Sequence, residues 1–108
     1  FYYSDSEYET MCEDVSRFAD EGASAIVTGV LKKDSTLDKD RMSELRDLAG
    51  GIPMVCHRCF DVTPNLSESL ETLVKMRYRR VLSSGGHNTA LEGKEILREL
   101  IRKAAGRI

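Results

Sequence analysis

Residues 25–31 read Ala-Ile-Val-Thr-Gly-Val-Leu, a continuous run of mostly apolar and β-branched residues. Such a run, without alternating polar residues, is typical of a strand that is covered on both faces of a parallel sheet. Two comparable runs begin near Pro53 and Arg80, so the strand starts recur every 27 or 28 residues. Helical patterns fill the intervals. This alternation predicts an α/β fold with a parallel sheet and right-handed crossovers.

Apolar periodicity and capping signals set the bounds of seven expected elements. Ser4 with Glu7, and Thr89 with Glu92, each match a capping box, in which a hydroxyl and a carboxylate satisfy backbone N–H groups at a helix start. The sequence predicts, in order, a helix over about 5–21, a strand over 25–31, a helix over 38–49, a strand over 53–60, a helix over 65–77, a strand over 80–84 and a helix over 90–105.

Three β/α units preceded by one helix are the repeating parts of a parallel (β/α)₈ barrel of the TIM type. A complete barrel takes about 250 residues, and this chain has 108, so we expect a partial barrel. In a sheet of three apolar strands, both outer strands have unpaired backbone groups. We therefore expect further strands or pairing with another chain, and a homo-oligomer.

Composition and charge exclude several classes of partner. The chain carries 16 basic and 18 acidic residues, which are interspersed and give a net charge of −2; without a basic patch, nucleic acid is not expected as a partner. No apolar run reaches the roughly 18 residues that span a bilayer, and the opening residues lack a signal-peptide pattern. The three cysteines are odd in number and sparse, which indicates a reducing compartment, the cytoplasm.

The carboxyl ends of parallel strands are where α/β folds place their functional sites. The densest group of reactive residues in this chain lies there: residues 56–61 read Cys-His-Arg-Cys-Phe-Asp. Alternate residues of an extended strand share a face. We therefore expect His57, Cys59 and Asp61 on one face, with His57 toward the barrel interior, and Cys56 on the other face.

Three residues of this segment are candidate catalytic residues. His57 suits general acid–base catalysis because its ordinary pKa is near neutral; it could equally bind a metal ion, or be a buried histidine that is hydrogen-bonded to a neighbouring strand. Arg58 and Asp61 could bind an anionic ligand and orient His57. The alternative is a salt bridge between them that closes the end of the strand.

The cysteines of this segment have the C-x-x-C spacing of redox and metal sites on loops and helix starts. On an extended strand, however, Cys56 and Cys59 would point to opposite faces, so a shared ion or a disulfide would require a distorted backbone. His57 with Cys59 is the better pair of ligands for a soft ion such as Cu(I), although two ligands are an incomplete site. Cys12 is expected to be a small core residue.

A glycine turn follows the third predicted strand. Backbone N–H groups at such a turn, close to a helix start, can hold a phosphate or a carboxylate, although two glycines before a helix are also ordinary turn chemistry. This turn suggests a small anionic ligand, including a phosphorylated metabolite. The expected ligand-binding residues are Thr28, Ser83, Ser84, Gly85 and Gly86.

The motifs, in this order, resemble those of the CutC copper homeostasis protein family over essentially the whole chain. The similar segments are Phe-Tyr-Tyr-Ser-Asp at 1–5 (F-x-Y-S-D), Thr-Gly-Val-Leu at 28–31, His-Arg-Cys-Phe-Asp at 57–61 (H-R-A-F-D), Val-Leu-Ser-Ser-Gly-Gly at 81–86 (V-L-T-S-G-G) and Ala-Leu-Glu-Gly at 90–93. The resemblance implies a (β/α)₈ barrel, of which this chain would run from the helix after strand three to the helix after strand six.

The resemblance also implies a function, a cytoplasmic copper homeostasis protein that binds or handles copper ions. The alternative is a barrel enzyme acting on a small anionic metabolite. Cys59 replaces the usual Ala of H-R-A-F-D, and Cys56 stands where Phe is common, so the C-x-x-C pair is peculiar to this chain. The cysteines usually discussed for copper in the family lie nearer the N-terminus, outside this sequence.

Overall fold

Four helices and three short parallel strands make up the computed structural model, which describes all 108 residues. The elements are α1 (Asp5–Asp20), β1 (Ile26–Thr28), α2 (Lys39–Leu48), β2 (Met54–Cys56), a 3₁₀ turn (Arg58–Val62), α3 (Leu66–Lys75), β3 (Arg80–Val81) and α4 (Lys94–Ala104). The sheet order is β1-β2-β3 and both pairings are parallel. The α/β class and the predicted order of elements are confirmed. None of the helices combines the length and the apolar character that a bilayer crossing requires.

One face of the sheet carries most of the core. The register pairs Ile26 with Met54 and Thr28 with Cys56. The most deeply buried large side chains come from β2, the helices, the 3₁₀ turn and the loop before β3: Tyr78, Phe60, Met42, Leu45, Met54 and Leu73. Val27, at the centre of β1, is 56% exposed between two buried neighbours. The other face of β1 is therefore open to solvent.

Side-chain N-caps mark the starts of the first three helices. At α1 the Glu7 N–H donates to Ser4 Oγ at 3.2 Å and the Ser4 N–H donates to Glu7 Oε1 at 2.8 Å, so the predicted capping box is confirmed. Asp38 and Asn65 cap α2 and α3 with their side-chain oxygens. A side-chain acceptor at the N-cap satisfies an N–H group that the helix itself leaves unpaired. The bounds lie within one or two residues of those predicted.

All three strands are shorter than predicted. The strand expected over 25–31 ends at Thr28, after which the Asp38 N–H donates to the Val30 carbonyl and the chain forms a local loop. The strand expected over 53–60 ends at Cys56, because the backbone turns at His57 into the 3₁₀ turn. The strand expected over 80–84 ends at Val81: the Leu82 N–H still donates to the Cys56 carbonyl at 2.9 Å, and Ser83 and Ser84 then bond to Asp61.

The last helix starts later than predicted, at Lys94 rather than 90. The Glu92 N–H does donate to Thr89 Oγ1 at 3.2 Å, but this contact closes a turn instead of starting a helix. A Cβ atom on Gly93 would lie 1.8 Å from the Ser84 carbonyl oxygen. The backbone at Gly93 is therefore packed against the loop after β3, and the helix begins only beyond that contact.

Candidate functional site

The carboxylate of Asp61 organises the loop that follows β3. It accepts hydrogen bonds from Ser83 Oγ at 2.6 Å, from the Ser84 N–H at 2.9 Å and from the Gly86 N–H at 3.2 Å. Arg58 Nε donates to the same carboxylate at 2.5 Å in a salt bridge. We call these five residues the Asp61 clamp. Arg58 and Asp61 thus form the salt bridge that the sequence left as one of two alternatives.

The environment of the clamp keeps Asp61 ionised. Burial raises the pKa of the Asp61 carboxyl, but the hydrogen bonds from Ser83, Ser84, Arg58 and Gly86 outweigh burial and hold the pKa below its usual value. Hydrogen bonds to a carboxylate favour its charged form. The Asp61 side chain is only 5% exposed, so its charge is balanced almost entirely by these protein donors.

The glycine turn is occupied by the protein's own anion. Gly85 and Gly86 have φ angles of 69° and 78°, which glycine adopts without strain. The Gly86 N–H donates to Asp61, as does that of Ser84, and the Gly85 N–H donates to Ser83 Oγ at 3.0 Å. An external phosphate or carboxylate would have to displace Asp61 from these donors. The anionic ligand and the enzyme alternative remain predictions.

A second cluster, formed by two cysteines, lies on the other side of His57. Cys56 Sγ and Cys59 Sγ are 3.8 Å apart, and both residues are fully buried. We call Cys56 and Cys59 the thiol pair. The prediction that they point to opposite faces is wrong, because it assumed a strand through Phe60. The turn at His57 instead folds Cys59 back toward the end of β2.

His57 sets the geometry of this turn. Its Nδ1 atom accepts a hydrogen bond from the Cys59 N–H at 3.1 Å, so the imidazole caps the 3₁₀ turn. Its ring is partly buried and lies 4.6 Å from the ring of Phe1, centroid to centroid. With Nδ1 engaged, Nε2 is the nitrogen left for acid–base chemistry or for a ligand. Neither role of His57 is tested by these contacts.

The two thiols differ in their tendency to ionise. The Cys56 and Cys59 sulfurs are in hydrogen-bonding contact, and this contact, helped by His57, outweighs burial and lowers the pKa of Cys59 to about 6. The same contact, together with burial, raises the pKa of Cys56. Of the two thiols, Cys59 is therefore the one that ionises more readily.

Gly29 makes room for the thiol pair. A Cβ atom at this position would lie 2.4 Å from Cys59 Sγ and 2.7 Å from His57 Cε1. Thr28, expected to line an anion pocket, is buried and pairs with Cys56 across the sheet, so it lies beside the thiol pair instead. Its carbonyl accepts the His57 N–H at 3.0 Å.

The sequence reasoning missed that Cys56 shares a site with Cys59. The sequence held no decisive signal for this, because a polar His57 fits both a strand that ends at Cys56 and a strand that continues with His57 toward the barrel interior. Cys12 lies apart on α1, where it packs partly buried against the core and its Sγ contacts Glu44 Oε1 at 3.8 Å. No group of three or more His, Cys, Asp or Glu residues forms a cluster that could hold a metal ion.

Comparisons with known proteins agree with the motifs. The family model described as the CutC family matches residues 1–108. A CutC family protein of Mesorhizobium japonicum is 43% identical over 108 residues, which is all of this chain and 42% of that protein. The human protein named copper homeostasis protein cutC homolog is 38% identical over all of this chain and 40% of its own length.

A solved structure shows the same arrangement. The crystal structure of a protein described as copper homeostasis protein CutC, from Streptococcus agalactiae, matches 99% of this chain and 53% of that chain, with a TM-score of 0.93 and 30% identity. The present chain thus spans less than half the length of the curated relatives quoted above. The family match and the shared fold lead to one conclusion: the chain belongs to the CutC family.

Proposed function

We propose that this chain serves copper homeostasis in the cytoplasm and that it contacts Cu(I) through the thiol pair, with His57 beside it. The observation that carries the proposal is the 3.8 Å separation of Cys56 Sγ and Cys59 Sγ. Cu(I) is a soft ion that selects thiolate ligands. The copper in the names of the human and Streptococcus relatives supports the same function.

The spacing of the sulfurs fits a single ion. Thiolate sulfurs bind Zn²⁺ at about 2.3 Å, so two sulfurs on one ion of that size lie at most about 4.6 Å apart. The observed 3.8 Å lies within this limit. His57, expected from the sequence to bind the ion together with Cys59, would add Nδ1 only by releasing the Cys59 N–H. The thiol pair is therefore the primary contact in this proposal.

Anaerobic Cu(I) titration against a chelator of known affinity tests the proposal. We expect the reduced protein to bind one Cu(I) that Cys59→Ala no longer binds. Cys12→Ala is the matched control, because it removes a thiol that lies beside Glu44 instead of another sulfur, and it should bind like the unchanged protein. If Cys59→Ala binds Cu(I) with unchanged stoichiometry and affinity, the thiol pair is not the contact.

We also propose that the sheet forms part of a closed (β/α)₈ barrel. Three observations support this: the match to about half of a longer CutC chain, the single neighbour of each outer strand and the exposure of Val27 on the open face of β1. A crystal structure of the full-length gene product should show Val27 buried inside a barrel. An open sheet would contradict the proposal. Sedimentation of the same protein tests the predicted homo-oligomer.

A further inference from the structure

We propose that Cys56 and Cys59 form a reversible disulfide that closes the Cu(I) contact, so that the thiol pair acts as a redox gate. The gating role rests on the proposed copper function, whereas formation of the disulfide does not depend on it. The observation behind it is that each cysteine has the other as its nearest thiol partner, on a turn rather than on a straight strand.

The geometry requires little movement. A disulfide has a sulfur–sulfur length of about 2.05 Å, so the two sulfurs, now 3.8 Å apart, need to approach each other by less than about 2 Å. Gly29 packs directly against Cys59 Sγ and, because it has no Cβ atom, leaves that sulfur in place beside Cys56. The backbone is held on both sides of the pair, by the sheet at Cys56 and by the salt bridge between Arg58 and Asp61.

The burial of the pair selects a small oxidant. Both cysteines are 0% exposed. A bulky disulfide reagent would therefore reach them poorly as an oxidant, whereas hydrogen peroxide, a molecule little larger than water, would reach them more easily. We take Cys59 as the attacking sulfur, because it lies on the turn while Cys56 is held in the sheet ladder. The bond that breaks first is therefore the O–O bond of the peroxide.

The reaction balances without any further reactant. The Cys59 sulfur takes one oxygen from hydrogen peroxide and becomes a sulfenic acid, and the other oxygen leaves as water. The Cys56 sulfur then attacks the Cys59 sulfur, its proton joins the departing hydroxide, and a second water leaves. Two thiols are oxidised to one disulfide, and one peroxide is reduced to two waters. A dithiol such as dithiothreitol reverses the change by thiol–disulfide exchange when local opening of the turn exposes the disulfide.

The disulfide would stop Cu(I) binding because the thiolate is the form of cysteine that binds a metal. Both sulfurs of the contact are used in the bond, and neither remains as a thiolate. The same segment of chain therefore either holds the ion, when reduced, or excludes it, when oxidised. Peroxide would act on this site as a signal that releases or refuses copper.

Peroxide treatment of the metal-free protein, followed by intact mass and by thiol counting after denaturation, tests the inference. We expect the protein and its Cys12→Ala control each to lose two thiols and two hydrogen atoms of mass, and to recover both with dithiothreitol. Cys56→Ala, and Cys56→Ser in case the first variant folds poorly, should instead gain oxygen at Cys59. Oxidised protein should bind no Cu(I) until dithiothreitol is added.

Three results would overturn the inference in whole or in part. If the unchanged protein gains oxygen atoms without losing the two hydrogens, the pair does not form a disulfide. If the disulfide forms but Cu(I) binding stays the same, the pair is not a gate. If the reduced protein never binds Cu(I) but forms the disulfide normally, the proposed copper function is wrong and the gate is wrong with it. The mass measurement then shows that formation of the disulfide itself still holds.

Discussion

Two clusters meet at the end of β2, and they differ in what satisfies their polar atoms. The Asp61 carboxylate accepts hydrogen bonds from four neighbouring residues drawn from two loops. The thiol pair has fewer partners: the two sulfurs contact each other at 3.8 Å, and the Cys56 thiol donates to the His57 carbonyl at 3.5 Å. The clamp is thus a closed network, while the thiol pair keeps its chemistry available for an added atom or ion.

This difference reverses the functional importance that the sequence suggests for the two clusters. Arg58 and Asp61 are the most polar residues of the segment and look like ligand-binding residues, yet they bond to the protein. A carboxylate with its lone pairs filled contributes to stability instead of binding. The less polar thiols, which alternation along a strand would separate, are the ones that the fold brings together. The following predictions test this contrast, from the largest expected effect to the smallest.

Removal of the carboxylate should have the largest effect. Asp61→Ala leaves the N–H groups of Ser84 and Gly86, and the Arg58 guanidinium, without their acceptor. An unsatisfied donor costs about 1–3 kcal/mol when it is buried, as the Ser84 N–H is, and the more exposed donors of Gly86 and Arg58 add less, so we expect a loss of about 3 kcal/mol from the free energy of unfolding in urea. Asp61→Asn keeps one acceptor oxygen and should lose less. Equal stability of Asp61→Ala and the unchanged protein would mean that the clamp is not structural.

Crowding of the thiol pair should have the next largest effect. Gly29→Ala places a Cβ atom 2.4 Å from Cys59 Sγ, and overpacking a filled site typically costs about 1–3 kcal/mol. Gly51→Ala is the matched control, because its added Cβ would meet no atom within 4 Å. Thermal unfolding of both variants decides the matter, and a Gly29→Ala variant as stable as Gly51→Ala would show that the pair has free space around it.

Loss of one hydroxyl from the clamp should cost less. Ser84 is 3% exposed and its Oγ atom accepts from Arg58 Nη2 at 2.5 Å, so Ser84→Ala should lower the free energy of unfolding by about 1 kcal/mol. Ser67→Ala, which removes a surface hydroxyl bonded to Lys103, should change it by less. If the two variants unfold at the same urea concentration, the Ser84 hydroxyl does not stabilise the clamp.

The smallest effect should come from a surface ion pair outside both clusters. Glu71 accepts two hydrogen bonds from Arg107, at 2.6 and 3.0 Å, and this contact holds the pKa of Glu71 below its usual value. Its contribution is therefore present above about pH 4.3, the pKa of an unfolded Glu, and is lost as the pH falls through the lower folded value. The stability difference between the protein and Glu71→Gln should shrink on acidification.

Salt provides the control for this last prediction. Exposed charges are screened within about 10 Å at 0.1 M ionic strength, so high salt at neutral pH should reduce the Glu71→Gln difference in the same direction as acid. The effect of Asp61→Ala, which comes from a nearly buried carboxylate, should be much less sensitive to salt. If salt weakens both equally, the distinction between a closed network and a surface pair is lost.

The local signals in the sequence determined the elements of the fold and their order. The apolar run around Ile26 predicts a buried parallel strand, and the Ser4 capping box predicts the start of α1; both are present. These features depend on residues within one or two turns of each other, and hydrogen bonding and side-chain periodicity act at that range. The clustering of polar groups between Cys56 and Asp61 is likewise visible in the local sequence.

Only the tertiary structure decided how that segment is used. Whether β2 continues past Cys56 depends on partners distant in sequence, since Thr28 on one side and the loop at Ser83 and Ser84 on the other hold the chain where it turns. The late start of α4 likewise follows from the contact of Gly93 with Ser84. Contacts between residues more than twenty positions apart leave no periodic trace in the sequence, so the thiol pair became visible only when the chain was folded.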